Sequence, residues 1–281
     1  MRNVIITAVL LLVLAGGYYF YKSSQAKAKT LKLQTHKEAI DTLRKNDSTA
    51  IPIQYAKILP DSTLKILKQY NLASLWANPD TAFADANRFD GFYGTDHYRI
   101  EMFFSEVRQD TELPHTFYVK GKSRFKKNIT PFSGEIKVES ISILKDPNIA
   151  MDDMDAQQVY TLKGSFQLKE DSTRQGSGIF AGNVFMDFSV SKTEEPQLWF
   201  FTPSTAAQGG GFKFQGNWTS NKTQASKPVI WAKDLFMFAN NILKNFSIGE
   251  RDVEINPKYR HLGWDNYWEF EEWWVDTKPL Q

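Results

Sequence analysis

The sequence predicts a mainly β fold: an N-terminal transmembrane helix and short helices, then an antiparallel meander forming a barrel or sandwich with one late packing helix. Three observations carry this prediction. Aromatic residues make up 14% of the 281 residues, an enrichment that suits pleated, half-buried surfaces better than helical bundles. From Phe89 onward apolar residues fall mostly at every second position, in runs separated by turn-rich pieces. Five segments also place a glycine between bulky neighbours: FDGFY (89–93), FSGEI (132–136), LKGSF (162–166), FAGNV (180–184) and FQGNW (214–218).

The chain begins with Val4–Tyr21, 18 residues without a charge. As a helix this run is about 27 Å long, close to a hydrocarbon core. Tyr18–Tyr21 beside Lys22 has the composition of an interfacial aromatic belt. Residues 1–22 are therefore expected to be a membrane anchor or a signal segment. The small-x-small triplet Ala26-Lys27-Ala28 suits a cleavage site but lies well beyond the apolar run. Arg2 favours a cytoplasmic N-terminus, whereas Lys22, Lys27, Lys29, Lys32 and Lys37 favour the opposite orientation. A span at the extreme N-terminus has the position of an export signal. The expectation is a single-pass anchor with the soluble part outside the cytoplasm.

Residues 23–85 read as a helical stalk or linker. Leu33, Lys37, Ile40 and Leu43 or Arg44 sit near a 3.6-residue period and give one thin amphipathic stripe. A second helix should follow Pro60, capped by Asp61 or Ser62, with Leu64, Leu67 and Tyr70 at three-residue steps. Residues 86–281 form the barrel-like domain. In TFYVKGKSRFK (116–126), Phe117, Val119, Gly121, Ser123 and Phe125 share one face, with the cations on the other. GEIKVESISIL (134–144) puts Ile136, Val138, Ser140 and Ser142 on one side, with Ile141 and Ile143 opposite. VYTLKGSFQL, SGIFAGNVFMDFSV, QLWFFT and GFKFQGNWTS continue the series, for about eight strands with short links. A late helix near 234–248, capped by Asp234, gathers Leu235, Phe238, Ala239, Ile242 and Phe246 on one face.

In each of the five glycine motifs the glycine shares a strand face with its bulky partners, toward the core. Inward glycines let strands coil and leave room for rings from neighbouring strands. The pattern resembles lipocalin-like barrels in architecture, and an architectural likeness carries no function.

Chemistry is scarce. With no cysteine, disulfides, thiol nucleophiles, cysteine metal sites and a lipid-modified cysteine are excluded. The four histidines have no metal-ligand spacing. Gly121-Lys122-Ser123 lacks the upstream glycine of a phosphate loop and lies in a strand pattern. The acidic run Met151–Asp155 lacks the glycine and distal glutamate of a calcium loop. No cofactor is implied, and a formal charge of +2 points to no nucleic-acid partner.

Two surface features are candidates. Lys120, Lys122, Arg124 and Lys126 form a basic stripe suited to an acidic partner or phosphate headgroups, or simply to a solvated outer face. The C-terminal GWDNYWEFEEWWVD sets Trp264, Trp268, Trp273 and Trp274 among carboxylates. It is an aromatic platform for sugars or a partner, or a last strand covering the barrel. The acidic tail pairing with the basic stripe within the molecule would make both features structural. The expected function is a membrane-tethered extracytoplasmic barrel that binds an apolar or amphipathic ligand, or a partner protein, without catalysis. The alternative is a carbohydrate-binding or carbohydrate-active exported protein using the tryptophan-rich tail.

Overall fold

The computed structural model describes residues 59–77, 87–146, 156–191, 195–200, 202–239, 256–267 and 271–275. The apolar run Val4–Tyr21 and the first amphipathic stripe lie outside them. Among the described residues no helix is long and apolar enough to cross a membrane.

Among the described residues nine strands follow two short helices, α1 (Asp61–Gln69) and α2 (Ala73–Trp76). They are β1 (Arg88–Tyr93), β2 (Tyr98–Gln109), β3 (Thr116–Phe125), β4 (Asn128–Ile143), β5 (Ala156–Glu170), β6 (Gly178–Ser191), β7 (Pro196–Leu198), β8 (Phe212–Ser220) and β9 (Ser226–Ala232). The hydrogen-bonded order β5-β4-β3-β2-β1-β9-β8-β6 returns to β5, so eight antiparallel strands close a barrel. Closure leaves no exposed sheet edge among these eight. The ninth strand, β7, pairs with Phe188–Val190 of β6.

Two strand assignments differ from the sequence reading. The QLWFFT segment supplies only Gln197 and Leu198 to the three-residue β7, outside the barrel, while Ser226–Ala232 closes the ring between β8 and β1. Pro228 disguises that last strand. It sits one residue beyond the final β1–β9 pair, Tyr93↔Val229, where β1 has already ended. A bulge between Val138 and Ser140 also re-phases β4. It turns Ile141 inward with Ile136 and Val138 and leaves Ile143 exposed.

The five motif glycines all lie in strands, in phase with buried rings. Gly182 and Gly216 face each other across β6 and β8, and a Cβ on Gly182 would sit 2.5 Å from the Gly216 Cα. The room goes to aromatics. Phe214 stacks on Trp231 at 4.9 Å and meets Phe166 edge-on at 5.0 Å.

One end of the barrel is plugged by α1 and α2, which the sequence placed in a stalk. Leu67, Leu72 and Trp76 join the barrel core, and Trp76 lies against Phe212 at 5.6 Å. Thr63 Oγ1 accepts from the Ile141 amide at 2.9 Å, and Gln109 Nε2 donates to the Leu67 carbonyl at 3.0 Å. Pro60 precedes α1 and no side chain caps it. The barrel body therefore includes residues 59–77.

A second, smaller core lies on the outer face of β1 and β9. Phe92 and Ala232 pack there against Leu235, Phe238, Ala239, Tyr259 and Trp264. The late helix contributes α3 (Phe236–Ala239), and Asp234 Oδ1 accepts from the Phe236 amide at 3.0 Å as a cap does. Ile242 and Phe246 lie outside the described residues. The chain turns helically again at α4 (Pro257–Tyr259) and kinks within Arg260–Trp264, where Leu262 and Gly263 leave helical geometry. Gly263 sits at φ 85° in that kink, a conformation open to glycine at little cost.

Candidate functional site

Three regions concentrate polar chemistry: the outer face of β1–β3 under the C-terminal segment, an open trough across β2–β5, and the barrel mouth opposite the helical plug.

On the first, alternation points Asp90, Arg99, Glu101 and Arg124 outward, yet all four are buried because the C-terminal segment lies over them. Arg99 binds Asp90 at 2.8 Å and Glu101 at 3.0 Å, and Arg124 binds Glu101 at 2.5 Å and Glu271 at 2.6 Å. Burial pulls the Arg99 pKa down, but Asp90 and Glu101 more than offset it, so the net shift is upward. Rings complete the enclosure. The Arg99 guanidinium lies 5.0 Å from the Tyr267 ring, and Arg124 lies 5.2 Å from that of Trp273. Trp274 stacks on Phe103 at 5.0 Å, and its carbonyl accepts from Lys122 Nζ at 2.9 Å. Trp264 is fully buried and donates from Nε1 to the His97 carbonyl at 2.9 Å.

The structure thus brings Lys122, Arg124, Trp264, Trp273 and Trp274 together as an internal seam. The described tail residues form a turn and a strap, not a strand. With Trp264, Trp273 and Trp274 buried, their faces are not open to a sugar ring. Trp268 lies outside the described residues. Lys120 stays exposed and pairs with Glu106 at 2.8 Å. Lys126, at φ 58° in the β3–β4 hairpin, rests its ammonium 4.8 Å from the Tyr98 ring.

The second region is a trough of about 600 Å³ lined by Lys120, Lys122, Pro131, Ser133, Lys169 and Asp171. An adjoining trough of about 560 Å³ shares Lys120, Ser133 and Lys169 and adds Arg108, Tyr118 and Gln167. Register explains the grouping. Lys120 faces Ser133 across β3–β4, and Ser133 faces Lys169 across β4–β5, so two long cations flank one small residue. Sequence reading found Lys120 and Lys122 but missed Lys169 and Ser133. Alternation marks both as outward, but the strand register that places them beside Lys120 is a tertiary quantity.

At the mouth, Tyr93, Ser123, Phe125, Asn128, Thr130, Glu170 and Trp218 border a partly open space of about 40 Å³. Tyr93 contacts Phe125 at 4.4 Å and Trp218 at 5.6 Å. Burial, with the Glu170 charge adding to it, pushes the Tyr93 phenol up to about 12. Burial also raises Glu170 above the usual carboxyl range, against hydrogen bonds from Ser123, Trp218 and Gly178 that lower it.

Outside these regions, Asp187 is fully buried beneath the 202–211 loop. Thr205 Oγ1 donates to it, and burial raises its pKa. Among the described residues no cluster of histidine and acidic side chains has the grouping to hold a metal ion.

No protein-family model matches the chain, and neither a curated protein nor a solved structure is similar to it.

Proposed function

We propose that this chain is a membrane-tethered β-barrel of the cell envelope, lying outside the cytoplasm, that recognises a protein partner and catalyses no reaction. The observation that carries the reading is the filled barrel. Rings of Phe104, Phe166, Phe212, Phe214 and Trp231 occupy the interior, and the partly open space at the mouth is about 40 Å³. A pocket for an apolar ligand needs roughly 300–1,000 Å³. That comparison favours a partner over a carried lipid. The uncharged run Val4–Tyr21 supports the tether.

The exposed trough around Ser133 is the surface that suits the role. Lys120, Lys122, Lys169 and Arg108 outnumber Glu135, Glu170 and Asp171 along its two parts, and Glu170 is buried, so the partner segment is one rich in carboxylates. Native mass spectrometry of the full chain extracted in mild detergent tests this. A co-purifying protein is expected, and it should be lost from the double variant Lys120→Glu, Lys169→Glu while the fold is kept. A bound lipid with no protein, or a protein retained by the double variant, would contradict the reading.

A further inference from the structure

The hairpin connections β1–β2, β3–β4, β5–β6 and β8–β9 all turn at the barrel end opposite the helical plug. Their tips are basic. The β3–β4 tip carries Lys126 and Lys127, the β5–β6 loop carries Arg174, and the β8–β9 turn carries Lys222 with Lys227 at the start of β9, all of them exposed. The carboxylates at this end are Asp96 in the β1–β2 turn, Asp171 in the β5–β6 loop and Glu170, which is buried below the rim. Beside the β1–β2 tip, the C-terminal turn adds Lys258 and Arg260 against Asp265. Arg174 lies 3.9 Å from Asp171. Among the described residues Lys126, Lys127, Lys222 and Lys227 have no carboxylate partner, so the excess of positive charge stands open to solvent.

The lysines stand on an aromatic rim. Lys126 Nζ lies 4.8 Å from the Tyr98 ring and 5.5 Å from that of Phe125, and Lys227 Nζ lies 5.4 Å from the Tyr93 ring. Tyr98, Phe125 and Trp218 are half-buried there, and Ile129 beside the β3–β4 tip is 42% exposed. Rings under ammonium groups, next to a bare aliphatic side chain, are the composition of a water–lipid boundary. Aromatic side chains settle at headgroup level, and lysines reach the phosphates. The face has no slot for a partner's side chains. The space between these residues is about 40 Å³, far below the roughly 300 Å³ of a small ligand pocket. Such a face suits a charged plane.

We infer that the barrel mouth docks on a bilayer surface of anionic phospholipid headgroups, which rests on the proposed function for the tether alone. Residues 22–58 join the apolar run to the barrel, 37 residues against 16 in the longest described strand. Entry of the chain at the plug end therefore does not keep the mouth from the bilayer. A tether makes weak docking an intramolecular event. Each cation at an anionic surface then strengthens the docked state roughly fivefold. Salt opposes it, because exposed charges are screened beyond about 10 Å at 0.1 M ionic strength.

Amide hydrogen exchange of the full chain tests this in two kinds of vesicle, phosphatidylcholine alone and phosphatidylcholine with phosphatidylglycerol in equal parts. Exchange at residues 126–129 and 221–227 should slow in the anionic vesicles and not in the neutral ones, and the slowing should fade as salt is raised. The double variant Lys127→Glu, Lys222→Glu should abolish it and leave exchange in the strand interiors unchanged. Equal exchange in the two vesicles, or slowing that the double variant keeps, overturns the inference. So does protection of the tips by polyglutamate and not by anionic lipid, since the face then belongs to a protein. If the double variant does not fold, the parent chain decides, and slowing that persists at high salt overturns the inference. Flotation with the neutral vesicles reports the tether separately. A chain that fails to float there contradicts the proposed function, while the lipid comparison still decides the mouth, because an unanchored chain with this docking face floats with the anionic vesicles alone.

Discussion

A single carboxylate holds two arginines on the outside of this barrel. Glu101 binds Arg99 through one oxygen and Arg124 through the other, with its side chain 6% exposed. Removing one member of such a group leaves buried charge behind, which costs far more than the pair contributes over an apolar replacement. Glu101→Ala is therefore expected to lower the unfolding free energy by about 3 kcal/mol, measured by urea denaturation. Lys120→Ala, which removes an exposed pair with Glu106, should leave the midpoint where it is. Gly216 sets the opposite limit, room in place of charge. A Cβ there would lie 2.7 Å from the Gly182 Cα, between backbones that cannot move apart without breaking the ladder. Gly216→Ala should cost about 2–3 kcal/mol by the same assay, the scale of an overpacked core.

Among the elements, the C-terminal strap decides how the outer face behaves. It covers Phe92, Phe103, Arg99 and Arg124 with Trp264, Tyr267, Trp273 and Trp274. The eight-strand ring closes without it, since no strand belongs to the strap. Deleting residues 256–281 should keep the β-sheet circular dichroism, lower the melting temperature and raise binding of a hydrophobic dye. A truncated chain that melts like the full one and binds no dye would show that the strap contributes nothing. The helical plug is a different kind of element. Leu67, Leu72 and Trp76 are buried in the main core, so α1 and α2 belong to the barrel's folding unit.

For the molecule as a whole, stability should have an unusual dependence on pH. Burial raises both Glu170 and Asp187 above the range they have in the unfolded chain. Each therefore contributes stability that is complete below the ordinary carboxyl range, about pH 4, and is lost as pH rises through the folded value. Asp110 and Asp171, exposed and held low mainly by hydrogen bonds, have the opposite sign. What they contribute is present above the ordinary range and lost as pH falls through their lowered values. These two buried carboxyls predict a decline from mild acid toward neutral pH, opposed by His97, whose pKa burial lowers and whose contribution therefore grows as pH rises. Urea unfolding of the full chain between about pH 4 and pH 8 checks it, and a curve that climbs steadily to pH 8 would contradict it. Asp187→Asn should flatten part of the decline.

The sequence by itself determined the β character, the inward phase of the five glycines and the Asp234 cap. Alternation and capping act over a few residues and need no knowledge of the rest of the chain. It also exposed both ends of the outer seam, the cations from Lys120 to Lys126 and the tryptophans from Trp264 to Trp274, as features that pair within the molecule or meet a partner. Only the tertiary structure decided which. Arg124 meets Glu271 across 147 residues, and Lys122 meets the Trp274 carbonyl across 152. The same holds for the bulge that turned Ile141 inward, for the closing strand hidden by Pro228, and for Lys169 beside Lys120. Register between strands far apart in the chain is set by the packing of the whole ring, and no local pattern encodes it.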